Sequence, residues 1–184
     1  MVKEKTIFLK TDRLVLRQWG DGDRFSFAQM NCDPDVMKYF PRPLTSVESD
    51  ALLDKFAARI NNNGFGIFAV EERGSKVFVG FIGLSSPSFE MRITPCTEIA
   101  WRLHKRFWGE GYATEGAGKV LEFAFDFLGL GEVVSFASRI NQRSINVMER
   151  IGMKHDPADD FDHPVIKPDD PLCRHVLYRK KRSG

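Results

Sequence analysis

Two glycines and an arginine precede a helical pattern in the segment RFWGEGYATEG, residues 106–116. Gly109 and Gly111 are separated by one residue, and Arg106 lies shortly before them. A glycine-rich turn that opens a helix presents unpaired main-chain N–H groups and the positive end of the helix dipole, and both attract anions. The segment is therefore a candidate phosphate-binding loop, although a tight turn without a ligand would use the same residue types.

Two familiar phosphate loops are excluded by the spacing. The dinucleotide fingerprint GxGxxG would need a third glycine at position 114, where the chain has Thr114. The Walker A loop would need lysine after Gly116, where the chain has Ala117. A nucleotide-binding α/β protein therefore remains only as a weaker alternative.

The first third of the chain predicts a strand followed by helices. Residues 13–19 alternate apolar and polar side chains, as a half-buried strand does, and a helix is expected to begin near Asp21. The side chains expected on the buried side of that helix are Phe25, Ala28 and Met30. Asp33 and Pro34 predict a second, short helix.

The remaining elements predict one mixed α/β domain over residues 1–184. Thr45 and Glu48 form a capping box for a longer helix that ends at the turn residues 61–64. A hairpin with a short glycine-containing loop follows over residues 65–86. The later elements are expected in this order: strand 97–103, helix 112–128, strand 132–138, helix 144–151 and strand 175–178.

Composition and charge exclude several classes of protein. Hydrophobic residues make up 42% and charged residues 28% of the chain, and no apolar run approaches the roughly 20 residues that span a bilayer. A net charge of +2 gives no general attraction to nucleic acid. The three cysteines fit neither a disulfide framework nor a zinc pattern, and the N-terminus shows no secretory signal, so we expect free thiols and a cytoplasmic protein.

Several motifs together resemble the GNAT acetyltransferase superfamily. The segment Arg106-x-x-Gly109-x-Gly111 resembles the acyl-coenzyme A loop of that family, Gln/Arg-x-x-Gly-x-Gly/Ala. TEIAWRLHKRFWG at 97–109 resembles its E-I-G-W-x-L strand, and INQRSINVMERIGM at 140–153 resembles its N-x-x-S-x-x-V-x-E-K-x-G-F motif. TDRLVLRQW at 11–19 and DFDHPVIKPDDPLCRHVLYR at 160–179 resemble segments of the RimJ/RimL-like branch, the relatives of ribosomal-protein N-acetyltransferases.

The resemblance implies a GNAT acyl-CoA N-acyltransferase fold, an α/β (α+β) fold whose central, mixed and mostly antiparallel sheet is flanked by helices. It also implies acetyl-CoA (coenzyme A) as the donor, with the pyrophosphate on the loop and the pantetheine arm along the strand that precedes it. Trp101 contributes through its main chain, although its side chain is equally expected in the core, and Asn141 is a pantetheine donor or a turn residue. The cofactor-binding residues implied are Trp101, Arg102, Leu103, Arg106, Gly109, Glu110, Gly111, Tyr112, Ala113, Thr114 and Asn141.

The resemblance further implies direct transfer to a primary amine, either a protein N-terminus or a small molecule, in a ternary complex. Glu98 matches the position of the general base, but it is otherwise an ion-pair or surface residue. Ser144 is a candidate acid for the leaving thiolate, or simply a helix cap. The alternative function is an inactive acyl-CoA-binding regulatory domain. We expect no metal, nucleic acid or membrane partner, and a homodimer remains open.

Overall fold

The computed structural model describes residues 7–182, apart from the side chain of residue 7. Its strands, in chain order, are β1 (Ile7–Lys10), β2 (Leu14–Arg17), β3 (Ile67–Glu72), β4 (Phe78–Ser85), β5 (Glu98–Leu103), β6 (Glu132–Ser138), β7 (Lys154–His155), β8 (Phe161–Asp162) and β9 (Arg174–Lys181). Its α-helices are α1 (Arg24–Cys32), α2 (Ser46–Asn63), α3 (Tyr112–Glu122) and α4 (Gln142–Arg150). Within the described chain, no helix combines the length and apolar character needed to cross a bilayer.

The strands form one sheet in the order β1-β2-β3-β4-β5-β6-β9-β7, with β8 paired to β9. Within the described residues, every neighbouring pair is antiparallel except β5 and β6, which run parallel. The predicted mixed and mostly antiparallel sheet flanked by helices is therefore confirmed.

Alternating side chains of β4 show which helices cover each face of the sheet. Phe81 contacts Phe27 of α1 and Phe56 of α2, at ring-centroid distances of 6.1 and 5.4 Å. Its neighbour Ile82 lies under Gly116 of α3, where an added Cβ would be only 2.4 Å from the Ile82 Cδ1. The α1/α2 layer and α3 therefore cover opposite faces, because successive strand residues point to opposite sides.

The capping box predicted for α2 is confirmed. The Thr45 hydroxyl accepts a hydrogen bond from the Glu48 N–H at 3.3 Å, and the Glu48 carboxylate accepts one from the Thr45 N–H at 2.8 Å. Gly64 ends the helix in the left-handed conformation, at φ +77°. The sequence signals at both ends of this helix therefore correspond to its observed bounds.

Two predictions about the first helices are wrong. Phe25 is 73% exposed, because the buried face of α1 is formed by Phe27, Met30 and Asn31, three and four residues apart. The predicted burial of Met30 is confirmed, and Ala28 is half-buried. The second helix expected after Pro34 is instead a series of turns over residues 34–39. Its main chain makes one i→i−4 bond, Met37 N–H to Asp33 C=O at 2.9 Å, and prolines at 41 and 43 prevent its extension.

Candidate active site

A gap between β5 and β6 forms the centre of the site. The two strands share one register pair, Glu98 with Val134, and the Ser135 hydroxyl donates to the Ile99 carbonyl at 3.0 Å just beyond it. No residue of β6 is in register with Trp101. Because Ile99 presents its main chain to β6, Trp101, two residues further on, presents its N–H and C=O to the same edge. This edge can accept an extended ligand as an added strand.

The loop after β5 carries the anion-binding geometry. Gly109 and Gly111 have φ values of +87° and +80°, which L side chains rarely adopt, and Gly111 directly precedes α3. Among the described residues, no acceptor receives a hydrogen bond from the main-chain N–H groups of residues 109–114. These donors lie at the positive end of α3, so they are free for an anionic ligand.

Neighbouring side chains hold this loop in place. The Trp108 Nε1–H donates to the Leu103 carbonyl at 3.0 Å, and the Phe107 ring packs on Tyr112 at 6.0 Å between centroids. The guanidinium of Arg13 donates to the Glu110 carbonyl at 3.0 Å and forms an ion pair with Glu115 at 2.6 Å. Phe107, Trp108 and Arg13 therefore orient the loop, and the main-chain amides of the loop do not depend on a ligand for their position.

A cavity of about 490 Å³ joins the β5 edge to this loop. Ten of the predicted site residues line it: Trp101, Arg102, Leu103, Gly109, Gly111, Tyr112, Ala113, Thr114, Asn141 and Ser144. The hydroxyl of Thr114 is buried and has no hydrogen-bond partner among the described residues. A buried polar atom without a partner is costly, so a ligand that offers this hydroxyl a hydrogen-bond acceptor would stabilise it.

Three predicted site residues do not line the cavity: Glu98, Arg106 and Glu110. Arg106 was expected to add a cation to the phosphate site. A 3₁₀ turn at Lys105–Phe107 instead places its exposed side chain against the Phe107 ring, on the side of Gln29 and Asp33. Glu110 is exposed, and its carbonyl oxygen accepts a hydrogen bond from the Arg13 guanidinium at 3.0 Å.

Glu98 lies at the point where β5 and β6 diverge. It is partly buried, and the Ser85 hydroxyl donates to its Oε2 at 3.3 Å. Burial raises the pKa of the Glu98 carboxyl from 4.5 to about 7, and the Ser85 hydrogen bond opposes this only in part. A carboxylate with such a pKa is matched to proton transfer near neutral pH.

Asn141 and Ser144 are in direct contact at the start of α4. The Asn141 Oδ1 accepts a hydrogen bond from the Ser144 N–H at 3.2 Å, and its Nδ2 donates to the Ser144 Oγ at 3.1 Å. Asn141 is therefore the cap of α4, and Ser144 is not. Both side chains line the cavity, which leaves the Ser144 hydroxyl available to donate a proton toward it.

Comparison with known proteins agrees with this geometry. Residues 13–154 match the family described as the acetyltransferase (GNAT) domain. The chain belongs to the GNAT acetyltransferase superfamily. A curated relative, the FsC-acetyl coenzyme A-N(2)-transacetylase of Aspergillus fumigatus, is 35% identical over 156 residues. That match covers 80% of this chain and 65% of the relative, so the chain spans about two thirds of the length of that relative.

Solved structures share the GNAT fold over nearly the whole chain. A GNAT acetyltransferase from Bacillus anthracis has a TM-score of 0.78 at 24% identity, covering 95% of this chain and 98% of its own. Spermidine N-acetyltransferase from Vibrio cholerae, solved with CoA and spermine, has a TM-score of 0.71 at 18% identity, covering 94% and 97% of the two chains. At these identities the likeness shows the fold.

The residues present fit the acetyl-CoA that GNAT enzymes use. The free amides of residues 109–114 and the unpartnered Thr114 hydroxyl suit a pyrophosphate, and the open edge at Trp101 suits the amide groups of a pantetheine arm. Arg106 does not line the cavity, but Arg143 and Arg150 of α4 do, and they provide the cavity with positive charge.

Two walls of this GNAT cavity lie outside the set of predicted site residues. One is the turn segment 33–40, which contributes Asp35, Val36, Tyr39 and Phe40. The other is the face of α4 formed by Arg143, Asn146, Val147 and Arg150, with the Arg143 guanidinium 4.1 Å from the Trp108 ring. The spacing of these four residues, three and four apart, marks one helix face and is a signal that the sequence did contain.

Proposed function

We propose that this GNAT protein is an acetyl-CoA-dependent N-acetyltransferase that modifies a primary amine by direct attack in a ternary complex. The observation that carries the proposal is the set of main-chain N–H groups at residues 109–114, which no described residue engages, beside an unpaired stretch of β5. A donor seated on both would extend from the loop toward the divergence of β5 and β6, where Glu98 lies.

Each step of the transfer has a candidate residue. When bound, acetyl-CoA supplies a thioester carbon that the amine attacks, with cleavage of the C–S bond and release of the thiol. Glu98 accepts the proton that the ammonium or amine loses, directly or through water, since its pKa of about 7 leaves it ionised at slightly alkaline pH. Ser144 donates the proton that the departing sulfur takes up.

The acceptor is a protein N-terminal amine or the amine of a small molecule. The motifs at 11–19 and 160–179 favour the RimJ/RimL-like branch, whose namesake substrates are ribosomal-protein N-termini. The Aspergillus relative, by its name, acetylates an N(2) nitrogen with acetyl-coenzyme A, and the Vibrio structure is of a polyamine acetyltransferase. These names support an amine acceptor.

The test is an acetylation screen of N-terminal peptides and amine metabolites, read by thiol release from acetyl-CoA and by mass spectrometry of the product. We expect acetylation of at least one amine class, with the mass of one acetyl group added at nitrogen. Micromolar binding of coenzyme A without turnover of any amine would instead favour the inactive acyl-CoA-binding domain. A larger thermal shift with ATP than with coenzyme A would favour a nucleotide-binding protein.

A further inference from the structure

Arg102 is a half-buried cation that packs against aromatic side chains. Its guanidinium carbon lies 4.1 Å from the Phe40 ring centroid and 5.3 Å from that of Phe81. Nη1 donates to the Oδ1 of Asn31 at 2.7 Å, and Asn31 in turn donates to the Ser49 hydroxyl at 2.8 Å. Both of these partners are neutral and fully buried, so they fix the position of the guanidinium without neutralising it.

No carboxylate pairs with Arg102 among the residues that the structure describes. Its Nε is buried and has no hydrogen-bond partner, and burial lowers the pKa of the guanidinium from 12.5 to about 10. Arg17 in the same sheet shows the usual arrangement, because it is paired with Asp23 and Glu71 at 2.8 Å each. Arg102 as a whole is half-buried, but a guanidinium with a buried, unpartnered Nε and no paired carboxylate is costly, so Arg102 calls for an anionic partner from outside the chain.

The position of Arg102 separates its side chain from the donor loop. Arg102 is in register with Phe81, so its side chain lies on the α1/α2 face of the sheet, whereas the loop amides open α3 on the opposite face. The side chain also lines the cavity beside Val36 and Tyr39 of the turn segment 33–40. The partner of Arg102 therefore approaches from the side opposite the pyrophosphate position.

Glu98 and Arg102 share this face of β5, with Ala100 between them. Four residues of extended strand separate their Cα atoms by about 13 Å. One face of β5 thus carries a carboxylate at the proposed reaction point and, further along, a cation without a paired carboxylate. An acceptor with an amine at one end and an anion at the other matches both charges.

We propose that Arg102 binds a carboxylate of the acceptor and that the acceptor is an amine whose carboxylate lies several bonds from the reacting nitrogen. The side-chain amine of a basic amino acid or an ω-amino acid fits this description, whereas glycine does not, because its two charged groups are too close together. Arginine suits this role because its planar fork makes paired hydrogen bonds to a carboxylate. The inference rests on the proposed function, since it names the acceptor class for the same site.

The experiment compares matched acceptors that differ only in charge. The matched pair is 5-aminopentanoate and its neutral amide 5-aminopentanamide, and glycine is a third probe whose two charged groups lie close together. Each is tested with the wild-type protein and with Arg102→Gln, Arg102→Lys and the exposed control Arg139→Gln. Turnover is measured as kcat/KM for each acceptor, and equilibrium binding as the thermal shift that each acceptor gives in the presence of coenzyme A. The KM for acetyl-CoA is recorded in parallel.

For the wild type we expect kcat/KM and binding to favour 5-aminopentanoate over its amide by about 10- to 100-fold, the usual value of a charge-assisted hydrogen bond. Arg102→Gln should reduce this ratio to near one, and Arg102→Lys should restore part of it. Arg139→Gln, which removes a charge from an exposed position outside the cavity lining, should leave the ratio unchanged. A purely structural role of Arg102 would lower the stability and the rates with both acceptors equally.

Three results would overturn the inference. One is a wild-type protein that does not distinguish the carboxylate from the amide in either assay, a result that needs no variant to fold. The second is an Arg102→Gln variant that keeps the wild-type ratio. The third is an Arg102→Gln variant whose only defect is a raised KM for acetyl-CoA, which would assign the guanidinium to the donor. By contrast, the complete absence of acetyl transfer with unaltered acceptor binding would refute the proposed function and leave the carboxylate site standing.

Discussion

Replacing Glu98 with glutamine is expected to stabilise the protein while it lowers activity. The folded protein raises the pKa of this carboxyl from 4.5 to about 7, so its ionised form is penalised in the folded state. At about 1.4 kcal/mol for each tenfold change in proton affinity, the penalty is about 3.5 kcal/mol. Because the side chain is partly exposed, water offsets some of it, and we expect a gain of about 1 to 3 kcal/mol for Glu98→Gln.

The stabilisation of Glu98→Gln relative to the wild type should depend on pH. Below pH 4.5 the carboxyl is protonated in both the folded and the unfolded protein, and the penalty is absent. As the pH rises from 4.5 to about 7, the unfolded chain loses its proton first, so the wild type loses stability relative to Glu98→Gln. Above about pH 7 the penalty is fully present. The free energies of unfolding in urea should therefore diverge between pH 5 and pH 8.

Activity supplies the second measurement on the same variant. A general base must be ionised, so wild-type kcat/KM should rise with pH through an apparent pKa near 7. Glu98→Gln should lower kcat/KM by about 10²- to 10⁴-fold and remove that dependence, while the affinity for coenzyme A holds. The exposed Glu90 provides the control Glu90→Gln, which should change neither curve. Parallel stability curves for Glu98→Gln and wild type would show that the carboxyl is not desolvated, and an unaltered rate profile would remove it from the base role.

Three further substitutions test the loop, the sheet and the buried ion pair. Gly111→Asp should weaken coenzyme A binding, measured by calorimetry, by about 100-fold or more. It adds a side chain at φ +80° and a negative charge at the proposed phosphate site. The control Gly118→Asp places the same charge in open space on α3 and should bind coenzyme A nearly as the wild type does. Gly83→Ala should destabilise the protein by more than about 3 kcal/mol, because the new Cβ would lie 2.1 Å from the Gly66 carbonyl oxygen next to β3. The control is Gly74→Ala, in a turn where an added Cβ meets nothing within 4 Å. Equal urea midpoints for the two variants would contradict the strand packing. Asp23→Ala should cost about 3 kcal/mol, because it removes one of the two carboxylates that pair with the buried Arg17 at 2.8 Å and leaves Glu71 to balance the charge alone. Adding Arg17→Met should recover part of that loss, and a double variant no more stable than Asp23→Ala would contradict the account.

Elements with complete local signals could be predicted from the sequence. The strand expected over 132–138 is β6 with the same bounds, and the helix framed by Thr45 and Gly64 is α2. In each case periodicity and end signals agree. The strands β7 and β8 have two residues each, which is too short for any periodicity, and they exist only because β9 offers them partners.

The first helices show why local signals can mislead. Proline after Asp33 is typical of a helix start, yet the apolar residues Val36 and Met37 are buried in a chain that turns back before Pro41. Tertiary burial and the two prolines together outweigh the single local preference. The same segment supplies one wall of the cavity, so the position of this wall depends on tertiary packing and not on local sequence signals.

The candidate site was predictable where main-chain geometry determines it. Glycine spacing before a helix located the loop, because positive φ values and free amides follow from residue type and helix polarity. Side-chain roles were less predictable. Arg106 has the residue type for a phosphate site, but a 3₁₀ turn directs it elsewhere, and Arg143 and Arg150 reach the cavity from an element more than 30 residues away in the chain.

Under the proposed function, the alternation of β5 would let one strand serve a donor and an acceptor at once. The edge at Trp101 offers main-chain groups to the gap beside β6, while Glu98 and Arg102 direct their side chains to the α1/α2 face. Because the side-chain period is two, a shift of one residue in the register between β4 and β5 would turn both charged residues toward the apolar face under α3. Gly80 allows the close approach of β4 to β5 in this register, since an added Cβ there would lie 2.2 Å from the Arg102 carbonyl oxygen. The packing that requires glycine at this position therefore also fixes the face of β5 on which Glu98 and Arg102 lie.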